Sequence, residues 1–122
     1  MDSYVNEYLS KSKENYSLYE FLAKNNKFEQ WQLVAIFYSA LCIAKAYLYH
    51  KKIHKNSINS HDSIKYWLAS ETEAKRLNVL SYYERLYQDS RDARYSIKKI
   101  SKDRIRRALE NYGKVQSLLL IK

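Results

Sequence analysis

The longest apolar stretch of the chain covers residues 31–50 and contains one charged side chain, Lys45. Apolar side chains recur there at spacings of three and four on one face, and the opposite face is nearly as apolar. A helix that is apolar all round is buried on all sides. The pattern therefore predicts a central helix over 31–52, around which the rest of the chain forms a helical bundle.

Helical periodicity also predicts the segments on either side of this central helix. Tyrosine and leucine side chains recur every three or four residues across 3–24, which predicts a first helix there. Asn25 and Asn26 are expected to end it, because Asn tolerates the left-handed conformation found at helix ends. Residues 53–60 are polar and are predicted to form a loop.

The second half of the chain carries three capping signals. Ser60 is a good N-cap for a short helix over 61–68. Ser70 and Glu73 have the spacing of a capping box, which predicts one further helix from that point to about Ser96. Ser101 is expected to cap a last amphipathic helix. With the first two helices, these signals predict an all-α fold of four to five helices.

Composition supports this fold class. The chain has 122 residues, which is the length of one domain over 1–122 with a real core. It has one Gly and no Pro, and this scarcity of turn residues favours long helices with short connections. The single cysteine, Cys42, lies in the apolar stretch and excludes an internal disulfide or a multi-cysteine metal site. It is expected to be a small buried hydrophobe.

A membrane span is the alternative interpretation of residues 31–50, since the stretch is just long enough to cross a bilayer. Lys45, Gln32 and Ser39 lie inside it, however, and a bundle core explains the same pattern. Residues 1–10 carry two acidic side chains and no apolar segment of a signal peptide. We therefore expect a cytoplasmic protein without a membrane partner.

Positive charge is concentrated at one end of the chain. The net charge is +9, and residues 91–122 hold ten Lys and Arg against three acids. A one-ended basic face is typical of proteins with an anionic partner, of which nucleic acid is the first candidate. The alternative is a chain that is simply soluble and basic.

One row of side chains within this basic end is a candidate binding site. Tyr87, Arg91 and Tyr95 are four residues apart, so they share one face of a helix, with Arg94 beside them. A guanidinium suits bidentate contact with phosphate, and tyrosines can stack on bases. The alternative is that Arg91 pairs with Glu84 or another acid and only ties helices together.

A second basic segment, 98–107, begins just before the last helix, where backbone amides favour anions. A solvated face is the alternative. The predicted phosphate contacts in this segment are Lys98, Lys99, Lys102, Arg104 and Arg106.

The three histidines are close in sequence. His50 and His54 have the spacing of a two-histidine metal pair, and Asp62 is the one acid near His61. A metal site normally needs three or four ligands, so we expect surface or loop histidines, no metal site and no cofactor.

Four segments, in this order, resemble the HEPN superfamily of small helical domains. Residues 37–40 (FYSA) with 44–48 (AKAYL) are similar to the aromatic-Tyr-x-Ala … Ala-(Lys/Arg)-Ala-x-Leu central helix of that superfamily. Residues 60–64 (SHDSI) are similar to its Thr/Ser-His helix start, and 91–95 (RDARY) resemble its Arg-x-x-Ala-Asp-Tyr element, with Arg94 in place of the usual Asp. The amphipathic helix after Ser101 completes the resemblance, which covers about residues 30–120.

The resemblance implies an up-and-down bundle that is commonly a homodimer. It also implies a function linked to RNA or nucleotides in toxin–antitoxin or phage-defence systems. It also implies a nucleotidyltransferase-like protein as a partner. Many members of the superfamily are metal-independent ribonucleases with an Arg followed four to six residues later by a His. Here the first arginine is Arg76 and the last histidine is His61, so no Arg precedes a His. The standard chemistry is therefore expected to be missing, and whether the chain is an enzyme is left open.

These patterns lead to one main hypothesis and two alternatives. The main hypothesis is a HEPN-like protein that binds RNA or a nucleotide through Arg91, Arg94 and Tyr95, with His61 and Lys65 opposite. The first alternative is a divergent metal-independent endoribonuclease that uses Arg91 and His61, with Tyr95 near the expected histidine position. An unperturbed tyrosine, with a pKa of about 10, is a poor base at neutral pH. The second alternative is a protein-interaction subunit of a larger complex.

Overall fold

A computed structural model describes residues 3–25, 28–96 and 99–121, with the side chain of Lys55 left out. These residues contain helices and no strand, which confirms the predicted all-α class. The helices of the described ranges are α1 (Ser3–Lys24), α2 (Glu29–His50), α3 (His61–Ser70), α4 (Thr72–Arg76), α5 (Val79–Tyr95) and α6 (Lys102–Leu118), with a 3-10 turn at Lys55–Ser57.

Helix α2 is the centre of the molecule, as its apolar pattern predicts. It contacts α1, α3, α5 and α6, and Ile36, Ala40 and Leu48 are fully buried in it. Its length and composition would suffice to cross a membrane, but 72% of its most apolar window is buried inside the bundle. The helix therefore forms the core of the described fold, and it begins and ends two residues before the predicted bounds.

Buried polar contacts join α1, α2 and α6. The Ser39 hydroxyl donates to the Ser12 carbonyl at 2.8 Å, and the Ser12 hydroxyl donates to the Ser39 carbonyl at 3.0 Å. The Tyr112 hydroxyl lies 2.8 Å from the Ser39 hydroxyl. Because the three residues are nearly inaccessible to solvent, these bonds satisfy groups that would otherwise be buried without partners.

The capping predictions are confirmed at two places and wrong at the third. The side chains of Ser60 and Ser101 accept hydrogen bonds from the backbone of α3 and α6. Ser70 instead donates to the Tyr66 carbonyl inside α3, and Glu71 caps α4 by accepting from two backbone amides. The predicted single helix to Ser96 is in fact α4 and α5.

Asn78 is the reason for this break. Its φ of 54° is left-handed, a conformation that Asn adopts at less cost than most residues, and it separates α4 from α5. Asn25 follows α1 as predicted, but the left-handed residue that precedes α2 is Phe28, with φ 58°. Asn26 lies outside the described residues.

Helices α2 and α5 run antiparallel. The Tyr47 hydroxyl, near the end of α2, donates to Glu71, just before α4. The Phe37 ring, near the start of α2, lies 5.6 Å from the Tyr87 ring in the middle of α5. The last turns of α5 therefore extend toward the start of α2, and this arrangement positions the site described below.

Candidate functional site

A pocket of about 510 Å³ opens between α2, α3 and α5. Its lining contains three cationic side chains and no carboxylate, which makes it an attractive environment for an anion. Helix α2 contributes Phe37, Tyr38, Leu41 and Lys45; the start of α3 contributes Asn59, Ser60, His61 and Ile64; and α5 contributes Tyr87, Arg91, Arg94 and Tyr95.

The structure brings Arg91, Arg94 and Tyr95 together in this pocket, as the spacing predicts. Arg91 donates from Nη1 to the Tyr87 hydroxyl at 3.4 Å, and Arg94 donates from Nε to the Ser90 carbonyl at 3.3 Å. Among the described residues neither arginine forms an ion pair with an acid. Both guanidinium groups are exposed, so they keep donors for a ligand.

Glu84, which was the alternative partner for Arg91, is engaged elsewhere. Its Oε1 lies 3.3 Å from Lys65 Nζ and 3.8 Å from His61 Nε2. Lys65 does not line the pocket, so the structure does not bring it together with the arginines there. Its charge is balanced by Glu84 instead.

His61 lies in the pocket wall but does not offer a nitrogen to the pocket. Its ring stacks on Tyr87, and Nδ1 lies 3.1 Å from the hydroxyl of Tyr83, a fully buried residue. Nε2 is buried without a hydrogen-bond partner. Burial lowers the pKa of His61, which favours the neutral imidazole at pH 7. The prediction of a surface or loop histidine is therefore wrong for His61, which acts as part of an aromatic wall.

Two tyrosines provide exposed rings at the pocket. The Tyr95 side chain is 75% exposed, and the Arg94 guanidinium lies 5.4 Å from its ring centroid. Tyr38, on α2, is 37% exposed. Exposed aromatic rings beside cations are the combination that binds single-stranded nucleic acids, since the rings stack on bases and the cations contact the backbone.

Lys45 is the site residue that sequence reasoning missed. It lines the pocket from α2, and its Nζ lies 5.1 Å from the ring centroid of Tyr8 on α1. The signal was visible, because Lys45 is the one charge in a long apolar stretch and a buried charge is costly. Such a lysine indicates an opening to water at that position of the core helix.

The start of α3 adds a second feature that sequence reasoning did not connect to the arginines. Asn59, Ser60 and His61 line the pocket where α3 begins. The first amides of a helix carry partial positive charge and favour anions. The Ser60 side chain already accepts from the Ser63 amide and Asp62 lies in the same first turn, so this end of α3 adds polar groups to the pocket wall.

Two lysines of the predicted basic segment lie apart from this pocket. Lys99 and Lys102 line a separate pocket with Glu29, at the start of α2. Lys98 lies outside the described residues. Among the described residues, Lys99 and Lys102 therefore do not share a pocket with Arg91 and Arg94.

Two of the three arginines in that segment, Arg104 and Arg106, were the predicted phosphate contacts, and both are engaged in ion pairs. Arg104 lies 2.8 Å from Asp89 and 2.6 Å from Asp92, both on α5, and its hydrogen bond lowers the pKa of Asp92. Arg106 pairs with Asp103 and Glu110 within α6. Neither lines the pocket of Arg91. Arg104 thus ties α5 to α6. The alternative stated for this segment was a solvated face, whereas a helix-tying ion pair was the alternative for Arg91.

The fold and the site define an all-helical protein with a cationic, aromatic pocket. Among the residues that the structure describes, no three His, Cys, Asp or Glu side chains are grouped so that they could hold a metal ion. Comparison with known proteins gives no match to a protein-family model, a curated protein or a solved structure.

Proposed function

We propose that this chain is a HEPN-type helical bundle that binds RNA or a nucleotide, and that it lacks the standard ribonuclease chemistry of that superfamily. The observation that carries the proposal is the convergence of Lys45, Arg91 and Arg94 on one pocket without a carboxylate in its lining. Phosphate is the ligand group that best matches such a set of donors, because guanidinium groups bind its oxygens in pairs.

The aromatic side chains favour nucleotides over simple phosphate. Tyr38 and Tyr95 are exposed beside the cations. Stacking of a base on an aromatic side chain contributes about 1–3 kcal/mol per base and tolerates any sequence. A ligand that carries both a phosphate and a base would use the arginines and the tyrosines together.

Three of the four segments that carry the HEPN resemblance line this pocket, and the amphipathic helix after Ser101 does not. Residues 37–40 contribute Tyr38, 44–48 contribute Lys45, 60–64 contribute His61 and 91–95 contribute Arg91. Their convergence supports treating them as one functional unit. The toxin–antitoxin or phage-defence setting, the homodimer and the nucleotidyltransferase-like partner belong to the same proposal, through the resemblance.

The orientation of His61 argues against the alternative of a divergent ribonuclease. A general base must come within hydrogen-bond reach of the proton that it removes. In His61, Nδ1 is engaged with Tyr83 and Nε2 is buried. Neither ring nitrogen is therefore free to accept a proton from a ribose hydroxyl in the pocket. The structure would have to rearrange for His61 to act as a base beside Arg91.

Retention of a labelled single-stranded RNA pool on a filter tests the proposal. Wild-type protein should retain RNA at low salt and progressively less as salt rises, because phosphate contacts release counterions. The double variant Arg91→Ala/Arg94→Ala should lose most of this retention. Arg85→Ala is the matched control, since Arg85 is an exposed arginine on the same helix that does not line the pocket. No retention by wild type at low salt, or equal losses in both variants, would overturn the proposal.

A protein-interaction subunit is the second candidate, and exposed apolar side chains favour it. Phe21, Phe28 and Trp31 are 64%, 54% and 53% exposed, at the end of α1 and the start of α2. If this surface binds a protein, a one-to-one complex with the product of a neighbouring gene should survive nuclease. Trp31→Ala should weaken that complex, whereas Arg91→Ala should leave it intact.

A further inference from the structure

Helix α2 is buried except for one stripe of side chains along its length. Between Trp31 and Leu48 the residues of α2 that are not buried are Trp31, Val34, Tyr38, Leu41 and Lys45. Their spacings are three, four, three and four residues, the repeat with which one helix packs along another. All of them except Lys45 are apolar or aromatic, so these five residues form an uncovered, largely apolar surface, the α2 stripe.

The α2 stripe is the floor of a groove between two other helices. Helix α1 lies on one side, where Lys45 Nζ is 5.1 Å from the centroid of the Tyr8 ring. Helix α5 lies on the other side, where Tyr87 and Arg91 line the pocket together with Tyr38. Both α1 and α5 pack on α2. A groove with an apolar floor between helices is the kind of site that binds the apolar face of an amphipathic helix.

The α2 stripe is longer than the pocket. It extends about 21 Å along the axis of α2, from Trp31 to Lys45. The pocket lining includes Tyr38, Leu41 and Lys45 but neither Trp31 nor Val34, and Trp31 is 53% exposed. A nucleotide in the pocket therefore leaves the Trp31 end uncovered, whereas a helix of about 14 residues covers the full stripe.

The charges around the groove favour an acidic occupant. Lys45, Arg91 and Arg94 line it without a carboxylate beside them, and on α1 the charge of Glu7 is balanced by Lys11 at 3.3 Å. A second copy of this chain, packed stripe to stripe, would bring the same cations of both copies together, and like charges across an interface are unfavourable. A helix with Asp or Glu on both sides of its apolar face would pair with these cations instead.

We infer that the groove binds an acidic amphipathic helix of a partner protein, and that this helix and RNA exclude each other. Apolar side chains of the partner helix, at heptad spacing, pack on Trp31, Val34 and Leu41, and its acidic side chains pair with Lys45 and the arginines of α5. The helix contact is argued from the α2 stripe, whereas the exclusion of RNA rests on the proposed function. Both ligands use the same cations, so one site cannot hold them together.

The test uses synthetic peptides of about three heptads. The first has Leu at positions a and d and Glu at positions e and g; the second has Lys in place of each Glu, and the third has Ser in place of each Leu. Fluorescence anisotropy of the labelled peptides measures their affinity for wild-type protein at low salt. Wild type should bind the Leu/Glu peptide and neither of the others.

Substitutions in the α2 stripe locate this binding. Trp31→Ala should weaken it by about tenfold, the scale of a central aromatic contact in an interface. Lys45→Met, which keeps the aliphatic stem, should weaken it by about threefold, the scale of one exposed ion pair. Tyr66→Ala is the matched control and should leave the affinity unchanged, because Tyr66 is 62% exposed but lies on α3, outside the stripe and the pocket.

Trp31 also provides a signal that misfolding would not produce. Its indole is half exposed, so its emission should shift to shorter wavelength when the peptide covers it. Trp31→Phe keeps an aromatic ring at that position and should bind the peptide without the shift.

Displacement of labelled RNA from wild type by the Leu/Glu peptide tests the exclusion. Simultaneous binding of RNA and peptide would overturn it. The inference is also overturned if the Leu/Glu peptide does not bind, if the Lys or Ser peptide binds equally well, or if Trp31→Ala binds as Tyr66→Ala does; RNA binding would then still support the proposed function. Peptide binding that depends on Trp31, without any RNA binding, would overturn the proposed function and support the helix contact. A wild-type dimer in light scattering that Trp31→Ala dissociates would assign the stripe to a second copy and overturn the inference.

Discussion

The imidazole of His61 lies face to face on the ring of Tyr87, with ring centroids 3.5 Å apart and planes inclined by 13°. This contact joins α3 to α5 in the wall of the pocket and places the Tyr87 hydroxyl where Arg91 donates to it. Nδ1 of His61 is meanwhile engaged with Tyr83. His61 therefore positions the Tyr87 ring behind Arg91. Its Nδ1 contacts Tyr83 in the core and does not face the pocket.

Replacement of His61 by Phe tests this role. The stacked ring would be kept, but the buried Tyr83 hydroxyl would lose its partner, which should lower the free energy of unfolding by about 1–3 kcal/mol. The affinity of the folded protein for RNA should stay unchanged. Urea unfolding and RNA titration measure the two effects.

Tyr83→Phe removes the same hydrogen bond from the other side and should produce a comparable loss of stability. If His61→Phe abolished RNA binding or an RNA-cleaving activity while stability was unchanged, the imidazole would belong to the site and the account of its role would be wrong.

The buried contacts of Ser39 should be important for stability. Ser39→Ala leaves the Ser12 and Tyr112 hydroxyls without one partner each in a buried place, and should cost about 1–3 kcal/mol in urea unfolding. Ser117→Ala is the control, because Ser117 is exposed on α6, and its effect should be within about 0.5 kcal/mol of zero. A similar, small effect of both substitutions would show that the contacts between α1, α2 and α6 do not contribute as described.

The carboxylate of Glu71 should make the free energy of unfolding depend on pH. Burial by itself raises the pKa of Glu71, but hydrogen bonds from the Tyr47 hydroxyl and from the Ala74 and Glu73 amides outweigh it, so the pKa is lowered from its usual value of 4.5. A carboxylate whose pKa is lower in the folded protein than in the unfolded chain stabilises the fold. This stabilisation is complete above the pKa of the unfolded chain and is lost as pH falls through the pKa of the folded protein. Wild type should therefore lose stability below pH 4.5.

The measurement is urea unfolding followed by circular dichroism from pH 6 to pH 3. The difference in unfolding free energy between wild type and Glu71→Gln should shrink as pH falls below about 4.5, and Tyr47→Phe should reduce the pH dependence as well. A difference that is constant over this range would contradict the assigned hydrogen bonds.

Substitution of Arg104 should lower stability and leave RNA affinity unchanged, whereas substitution of Arg91 should lower RNA affinity and leave stability nearly unchanged. Arg104→Ala leaves Asp89, which is only 15% exposed, without its cation and should lower the free energy of unfolding by about 1–3 kcal/mol with RNA affinity unchanged. Arg91→Ala should lower RNA affinity with little change in stability. Arg106→Ala, which breaks only exposed pairs, should change stability by less than about 1 kcal/mol. An Arg104→Ala variant with normal stability and weakened RNA binding would move the site to α6.

The fold could be predicted where hydrophobic periodicity is strong. The bounds of α1 are those predicted, and α2 differs from its predicted bounds by two residues at each end. The break between α4 and α5 was missed, because it depends on one left-handed residue, Asn78, inside an otherwise periodic stretch. The serine and glutamate spacing at 70–73 resembled a capping box, whereas tertiary packing placed the cap on Glu71.

The candidate site could be predicted only in part, for reasons of geometry. Arg91 and Tyr95 are neighbours on one helix, so spacing alone brought them together. Lys45 joins them through the packing of α2 against α5, which spacing along the chain does not reveal. The pairing of Arg104 with Asp89 and Asp92 likewise depends on how α6 lies against α5.

Photocrosslinking tests the central claim, that RNA binds in the groove between α2, α3 and α5. A short single-stranded RNA with 4-thiouridine is bound to wild-type protein at low salt, irradiated and mapped by peptide mass spectrometry. We predict crosslinks at Tyr38, Tyr87 or Tyr95, which disappear in Arg91→Ala/Arg94→Ala and persist in Arg85→Ala. Crosslinks confined to α6 or to the exposed aromatics near Trp31, or no crosslink at any of the three tyrosines, would contradict the claim.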